Sequence, residues 1–362
     1  MASAHGTEGA ARGVGAGEVE LFPVRSSPAP PVTGADPTSS GPSPGIDVDR
    51  HAVAPRVRVR RPGRRWWALL VGTLAFAAAA AILTAPAGAP GALGLPEATL
   101  LGAVEGVTEF LPVSSTAHLA VVERLFGMAR GAEERAVLDS YLVVVQGGAI
   151  LAVAWLYRRR LTAMVFRPGA GGRRILAAVM VASAPAGAAG LVVGDLVKRR
   201  LFDPAPIALA WLVGGVAILI VAKRVAGRPG RPLESIGWGA AGMVGVAQCL
   251  ALWPGTSRSL VTILAGVLAG LSLAAAVELS FLLGFVTLLG ASGLETLRHG
   301  SDVITTLGWA GPLVGAAVAF VTAVVAIRGM VGLLNRRDLR PFGYYRIGAA
   351  ATTAGLIAAG IL

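Results

Sequence analysis

The chain of 362 residues has one cysteine, four histidines and only 14% charged residues. A single thiol, Cys249, cannot close an intramolecular disulfide. It lies in an apolar run and reads as a small packing residue. A soluble domain carries about 25% charged residues, so a chain this poor in charge and 54% hydrophobic is not an ordinary soluble enzyme. Acidic residues are the scarcer sign, 20 against 32 basic ones. The resulting charge of +12 could serve a nucleic acid, but the arginines stand in short segments between apolar runs. That is the positive-inside pattern of membrane topology, so no nucleic-acid partner is expected.

Residues 1–65 are a different material. "TGADPTSSGPSPG" is rich in Pro, Gly and Ser and offers little to build a core, as in a disordered tail. It ends in "RVRVRRPGRRWW", with Arg56, Arg58, Arg60, Arg61, Arg64 and Arg65 ahead of Trp66 and Trp67. Basic residues, interfacial tryptophans and an apolar run mark a cytoplasmic entry into a membrane span at 66–86. "TAPAGA" resembles a signal-peptide cleavage site, but the basic leader is far too long for a normal n-region.

With the tail inside, charge bias sets the path. The Arg-rich segments at 158–174, 223–234 and 328–341 are cytoplasmic. Six core spans follow, at about 140–157, 175–195, 205–222, 274–297, 307–328 and 343–362. Two further apolar segments, about 93–126 and 245–266, are broken by a proline and hydroxyls, and the charge rule requires each to dip in and return on one side. The cluster Lys198, Arg199 and Arg200 is the exception, since it falls outside. The broken segments resemble each other. "GVTEFLPVSST" from Gly106 and "GVAQCLALWPGTSRS" from Gly245 align Glu109 with Gln248, Pro112 with Pro254, Ser115 with Ser257 and Thr116 with Arg258, given a three-residue insertion. Each is followed by three spans, the first unit (about 93–222) starting outside and the second (about 238–362) inside. The expected fold is an all-α integral membrane protein with an inverted-topology repeat and two re-entrant helix hairpins meeting in a cavity.

The two tips carry chemistry. Glu105 and Glu109 are four apart and share one helix face; each acid near the bilayer centre costs about 2.5–3.5 kcal/mol on insertion scales. Ser114, Ser115 and Thr116 open the second half-helix. Each could be a simple cap, but a helix N-terminus in a cavity also suits phosphate. His118 lies three residues after Ser115 on the same helix face, so Ser115 is the expected attacking group with His118 relaying its proton, while attack by His118 itself or by water stays open. Arg258, at the second tip, has the planar fork for bidentate phosphate binding, and Thr256, Ser257 and Ser259 add donors. Together these point to phosphoryl transfer or hydrolysis. "PGTSRS" lacks the GK[ST] ending of a P-loop. The rival reading is a transporter, best a polyprenyl-phosphate flippase, since broken helices in inverted repeats are also a transporter device. A purely structural membrane anchor explains neither tip.

At these stretches the sequence closely resembles the bacterial undecaprenyl-diphosphate phosphatase family, also known for bacitracin resistance. The carrying motifs are "EGVTEFLPVSSTAHL" at 105–119 and "PGTSRS" at 254–259, with weaker matches at "VVVQGGAILAV" (143–153), "ELSFLL" (278–283) and "YYRIG" (344–348). The resemblance implies hydrolysis of undecaprenyl diphosphate to undecaprenyl phosphate, which recycles the lipid carrier for cell-wall polymers. It implies a multi-pass protein of the bacterial plasma membrane whose active site opens to the extracytoplasmic side, a divalent cation (Mg or Ca), and it admits a homodimer. Carried onto this chain, the assigned roles are catalysis by Glu109, Ser115, His118 and Arg258, substrate binding by Ser114, Thr116, Thr256, Ser257 and Ser259, and metal binding by Glu105 and Glu109. Departures from the family pattern are Leu142 for an acid, Leu273 and Glu278 for arginines, and Leu260 for glycine. The tail and the 66–86 span precede the family core.

Overall fold

A computed structural model describes residues 94–128, 131–166, 169–225, 229–307, 310–334 and 338–362. The tail and anchor expected at 1–65 and 66–86 lie outside these residues. The described chain is helical: α1 (Leu95–Thr108), α2 (Ser115–Leu125), α3 (Ala132–Leu156), α4 (Arg158–Phe166), α5 (Ala170–Leu201), α6 (Pro204–Val225), α7 (Trp238–Gln248), α8 (Arg258–Leu268), α9 (Leu273–Leu307), α10 (Ala310–Leu334) and α11 (Arg340–Ala358). Short 3₁₀ turns at Leu233–Ser235 and Cys249–Leu252 flank α7. Among the described residues the only β pairing is an isolated bridge between Arg231 and Leu271.

Five stretches are long and apolar enough to cross a membrane: Leu138–Leu156, Ala170–Gly194, Pro204–Val225, Leu273–Leu297 and Ala310–Leu333. They match five of the six spans expected from the sequence. The sixth, α11, is not among them, because Arg340, Arg346, Thr352 and Thr353 dilute its apolar character. Outward faces are greasy: Leu191 is 74% and Val192 83% exposed. In water such faces would be a liability, whereas hydrocarbon accepts them and forces each backbone group to be satisfied internally.

Small residues let the helices close up. α10 packs on α1 and α3, and Gly102, Gly106 and Gly148 face the α10 backbone at Gly315, Ala319 and Ala316, where any added Cβ would clash. This is the small-residue packing by which membrane helices gain dispersion contact. A cluster of Ala98, Leu101, Leu138, Tyr141, Val145 and Ala319 fills the same seam, with the Tyr141 hydroxyl donating to the Ala98 carbonyl at 2.7 Å. Elsewhere α11 packs on α6, α5 on α7, and α9 on α3 and α8. At the Arg-rich end, Arg160 ties α4 to Glu234 at 2.5 Å and to Glu278 of α9 at 2.7 Å. Burial pushes the Glu234 carboxyl up, but the hydrogen bond and charge of Arg160 outweigh it and hold the group below its ordinary range.

Candidate active site

Both broken segments are helix, tight turn, helix. The first runs from α1 through Glu109–Ser114 into α2, the second from α7 through Cys249–Ser257 into α8. The residues capping α2 and α8 are Ser114 (φ 75°, ψ 101°) and Ser257 (φ 75°, ψ 115°). They are the only non-glycine residues at positive φ among the described ones. That conformation costs on the order of 1–3 kcal/mol at each position, and it recurs at the same point of both tips. It also corrects the alignment read from the sequence by one residue. Matching identities paired Ser115 with Ser257; backbone conformation pairs Ser114 with Ser257 and sets Ser115 opposite Arg258, each the first residue of its helix.

The first tip is held by side chains from three other elements. Successive carbonyls of Leu111, Pro112 and Val113 accept from Ser259 of α8 (2.7 Å), Arg346 of α11 (3.3 Å) and Trp211 of α6 (2.7 Å). Irregular backbone inside a membrane persists only when its polar groups are paired in this way. Arg346 is fully buried and also donates to Ala210 O at 2.9 Å and Gly255 O at 2.7 Å. One guanidinium therefore grips both tips at once. Gly214 makes room for it, since a Cβ there would clash with the guanidinium.

The reactive groups meet between the tips. Glu109 accepts a short hydrogen bond from the Ser115 hydroxyl on one oxygen and pairs with Arg258 Nη2 at 3.1 Å on the other. Both tips thus converge on one carboxylate. Arg258 is oriented by Ser280 O, which accepts from Nη1 at 2.8 Å, and by the Phe110 ring, whose centroid lies 5.3 Å from Cζ. Gly284 leaves the space its guanidinium occupies. Thr262 donates to Ser280 Oγ at 2.8 Å, fixing that turn of α9 against α8.

The other expected residues divide. His118 Nδ1 lies 2.6 Å from Ser114 O and Nε2 2.6 Å from the Tyr345 hydroxyl. A carbonyl only accepts, so Nδ1 carries the proton. The pairing of Ser115 with His118 expected from their spacing is replaced by Ser115 with Glu109. Ser257 accepts from Leu260 N at 3.3 Å and lies 2.9 Å from Ser259 Oγ, so these two hydroxyls are committed to the second tip's own backbone and to its seam with the first. Ser114 is buried, Thr116 exposed and Thr256 half-buried. Glu105, one helical turn before Glu109, is 2% exposed, and its Oε1 is buried without a hydrogen-bond partner. This orphaned oxygen beside a second carboxylate fits a hard divalent cation. Glu105 and Glu109 are the residues that would hold such a cation; no three of His, Cys, Asp and Glu come together among the described residues.

Tyr345 and Arg346 lie in the weaker match "YYRIG" but carry no role in the sequence reading, and Trp211 lies in no motif. A signal for Arg346 existed: it is an arginine in an apolar run, the same anomaly that singled out Arg258. Tyr345 and Trp211, which packs edge-on against His118 at 4.9 Å, look like ordinary interfacial aromatics in the sequence.

Apolar helices surrounding a buried carboxylate, hydroxyl and arginine define a multi-pass helical membrane protein with a polar site inside it. A family profile described as "Bacitracin resistance protein BacA" matches residues 98–352, and the chain belongs to that family. It is similar to undecaprenyl-diphosphatase 2 of Rhodospirillum rubrum, 40% identical over 254 residues that cover 69% of this chain and 90% of the relative. It is likewise similar to undecaprenyl-diphosphatase 1 of Chromobacterium violaceum (41% over 251 residues, 68% and 91% covered) and to the undecaprenyl-diphosphatase of Sorangium cellulosum (40% over 262 residues, 70% and 84% covered).

Proposed function

We propose that this protein hydrolyses undecaprenyl diphosphate to undecaprenyl phosphate and inorganic phosphate. The carrying observation is Glu109 held between the Ser115 hydroxyl and Arg258, in a chain whose relatives bear the name undecaprenyl-diphosphatase. A transporter needs charge at its tips but no hydroxyl bonded to a carboxylate.

In this reading Arg258 and the first N–H groups of α2 bind the diphosphate, whose charge they complement. Ser115 Oγ attacks the terminal phosphorus. An O–P bond forms as the bond from that phosphorus to the bridging oxygen breaks, and undecaprenyl phosphate leaves with the electron pair. The serine proton passes to Glu109, which sheds it to the departing group or solvent. Glu109 then takes a proton from water attacking the phosphoserine and returns it to Ser115 as inorganic phosphate forms. His118, held by Ser114 O and Tyr345, supports the turn that carries Ser115. Glu105 and Glu109 would hold the divalent cation, which supplies charge neutralisation at the phosphates. Phosphoryl transfer draws mainly on such positioning and electrostatics.

The inverted arrangement of the units 93–222 and 238–362, with both hairpins re-entrant and the site open to the extracytoplasmic side, belongs to the same proposal. The shared serine conformation at both tips and the Arg-rich segments support it. A cysteine introduced at Pro168 should resist labelling from outside intact cells; ready labelling would overturn the topology. A homodimer is tested by light scattering in detergent. The deciding assay is phosphate release from undecaprenyl diphosphate by purified protein. Chelation should stop it and Mg²⁺ or Ca²⁺ should restore it. Lipid movement across vesicles without phosphate release would favour the flippase.

A further inference from the structure

Away from the tips, at the Arg-rich ends of α3 and α10, one indole lies against two guanidinium groups. Arg158 Cζ is 5.7 Å and Arg328 Cζ 5.3 Å from the Trp155 ring centroid. Arg158 also donates to Trp155 O at 2.8 Å, which fixes it over the end of α3. Among the described residues neither arginine has a carboxylate within ion-pair distance, unlike Arg160, the nearby residue that has two. Arg328 is half-buried, with Nε buried and lacking a hydrogen-bond partner. Two like charges converge on one ring, held by its π face, a modest attraction at an exposed site, and for Arg158 by the Trp155 carbonyl as well. Among the described residues no anionic side chain balances this pair.

The surroundings say what kind of anion would suit it. Trp155 is 44% exposed and ends the span Leu138–Leu156. One turn deeper on the same face stands Leu151, 62% exposed, and Phe320 of α10 packs 6.2 Å from the indole. An apolar strip therefore runs from the charged pair toward the membrane interior. A soluble anion would use the arginines and leave this strip unused; a phospholipid uses both. We propose that Trp155, Arg158 and Arg328 bind the phosphate headgroup of an anionic phospholipid, whose acyl chain lies along Leu151 and Phe320. Basic pockets between helices on the cytoplasmic side are suited to such headgroups, and guanidinium forks match phosphate oxygens. None of these residues contacts Glu109, Ser115 or Arg258, so the site is separate from the catalytic one and does not rest on the phosphatase reading.

The test titrates purified full-length protein in detergent with phosphatidylglycerol, phosphatidylcholine or inorganic phosphate, following thermal unfolding and lipid adducts by native mass spectrometry. Phosphatidylglycerol should stabilise the protein and the other two should not. The double variant Arg158→Gln/Arg328→Gln should bind phosphatidylglycerol about tenfold more weakly or worse. Lys223→Gln/Arg224→Gln removes the same charge at another exposed helix end and should bind normally. An undiminished phosphatidylglycerol response in the Arg158/Arg328 variant, an equal loss in the Lys223/Arg224 variant, or equal stabilisation by inorganic phosphate overturns the proposal. Should the double variant fail to fold, Trp155→Leu keeps both charges and removes the platform: a severalfold weaker response is expected, and an unchanged one overturns the site.

Discussion

The two tips have one backbone and two chemistries. Each ends a helix, turns, and starts the next helix after a serine at φ 75°. In the first tip the following residue is Ser115, bonded to Glu109; in the second it is Arg258, paired with the same Glu109. Two of the second tip's hydroxyls, Ser257 and Ser259, bond to backbone and to each other. The acids of the first unit have no charged counterpart in the second, where Gln248 is buried with an unpartnered Oε1. Two turns with the same strained serine thus carry different side chains; under the proposed function the first tip would provide nucleophile and base and the second the cation that grips the phosphate. Neither half holds the site alone.

The sharpest break in this comparison is at Ser115. If the first tip supplies the nucleophile, Ser115→Ala should lower kcat about a thousandfold or more, roughly 4 kcal/mol of barrier, with no phosphoenzyme trapped on acid quench. A loss below about tenfold would move the attack to water and reduce Ser115 to a binding group. Next comes the second tip. Arg258→Lys keeps the charge and loses the fork, and should cost about a hundredfold in kcat/KM; near-normal turnover in a well-folded protein would remove Arg258 from the site and sink the division of labour between the tips.

Smaller, and aimed at what joins the tips, is Arg346→Met. It leaves the carbonyls of Pro112, Ala210 and Gly255 without their donor, and an unsatisfied buried acceptor costs about 1–3 kcal/mol. A clear fall in Tm in detergent is expected, with a loss of activity smaller than that of Arg258→Lys. An unchanged Tm would mean that Trp211 and Ser259 suffice to hold the first tip. The smallest effect belongs to the tail: deletion of residues 1–60, with 66–86 kept, should change turnover by less than about tenfold. A greater loss at normal expression would give the tail a part in catalysis.

Much of the site was legible because the membrane makes polar residues conspicuous. Glu105, Glu109, Ser115, His118 and Arg258 stand out against apolar neighbours, and the insertion cost of an acid or arginine in hydrocarbon is the physical reason they can be singled out. The same contrast located five spans to within a few residues. The sixth expected span, 343–362, overlaps α11, whose polar residues keep it out of the strongly apolar set; the contrast missed Arg346, which sits in this last run and forms no part of either tip motif.

By itself, then, the sequence determined the helical membrane class, the apolar segments and the set of reactive residues, since these follow from local hydropathy and residue chemistry. The tertiary structure alone decided who partners whom. Ser115 and His118 are near in sequence, but the turn at Ser114 sends the hydroxyl to Glu109 and the imidazole to Tyr345, 227 positions away. Arg258 reaches Glu109 across 149 positions, and Arg346 joins both tips from a helix far along the chain. Such pairings depend on where the helices pack and on which buried carbonyl needs a donor, and spacing along the chain carries no information about either.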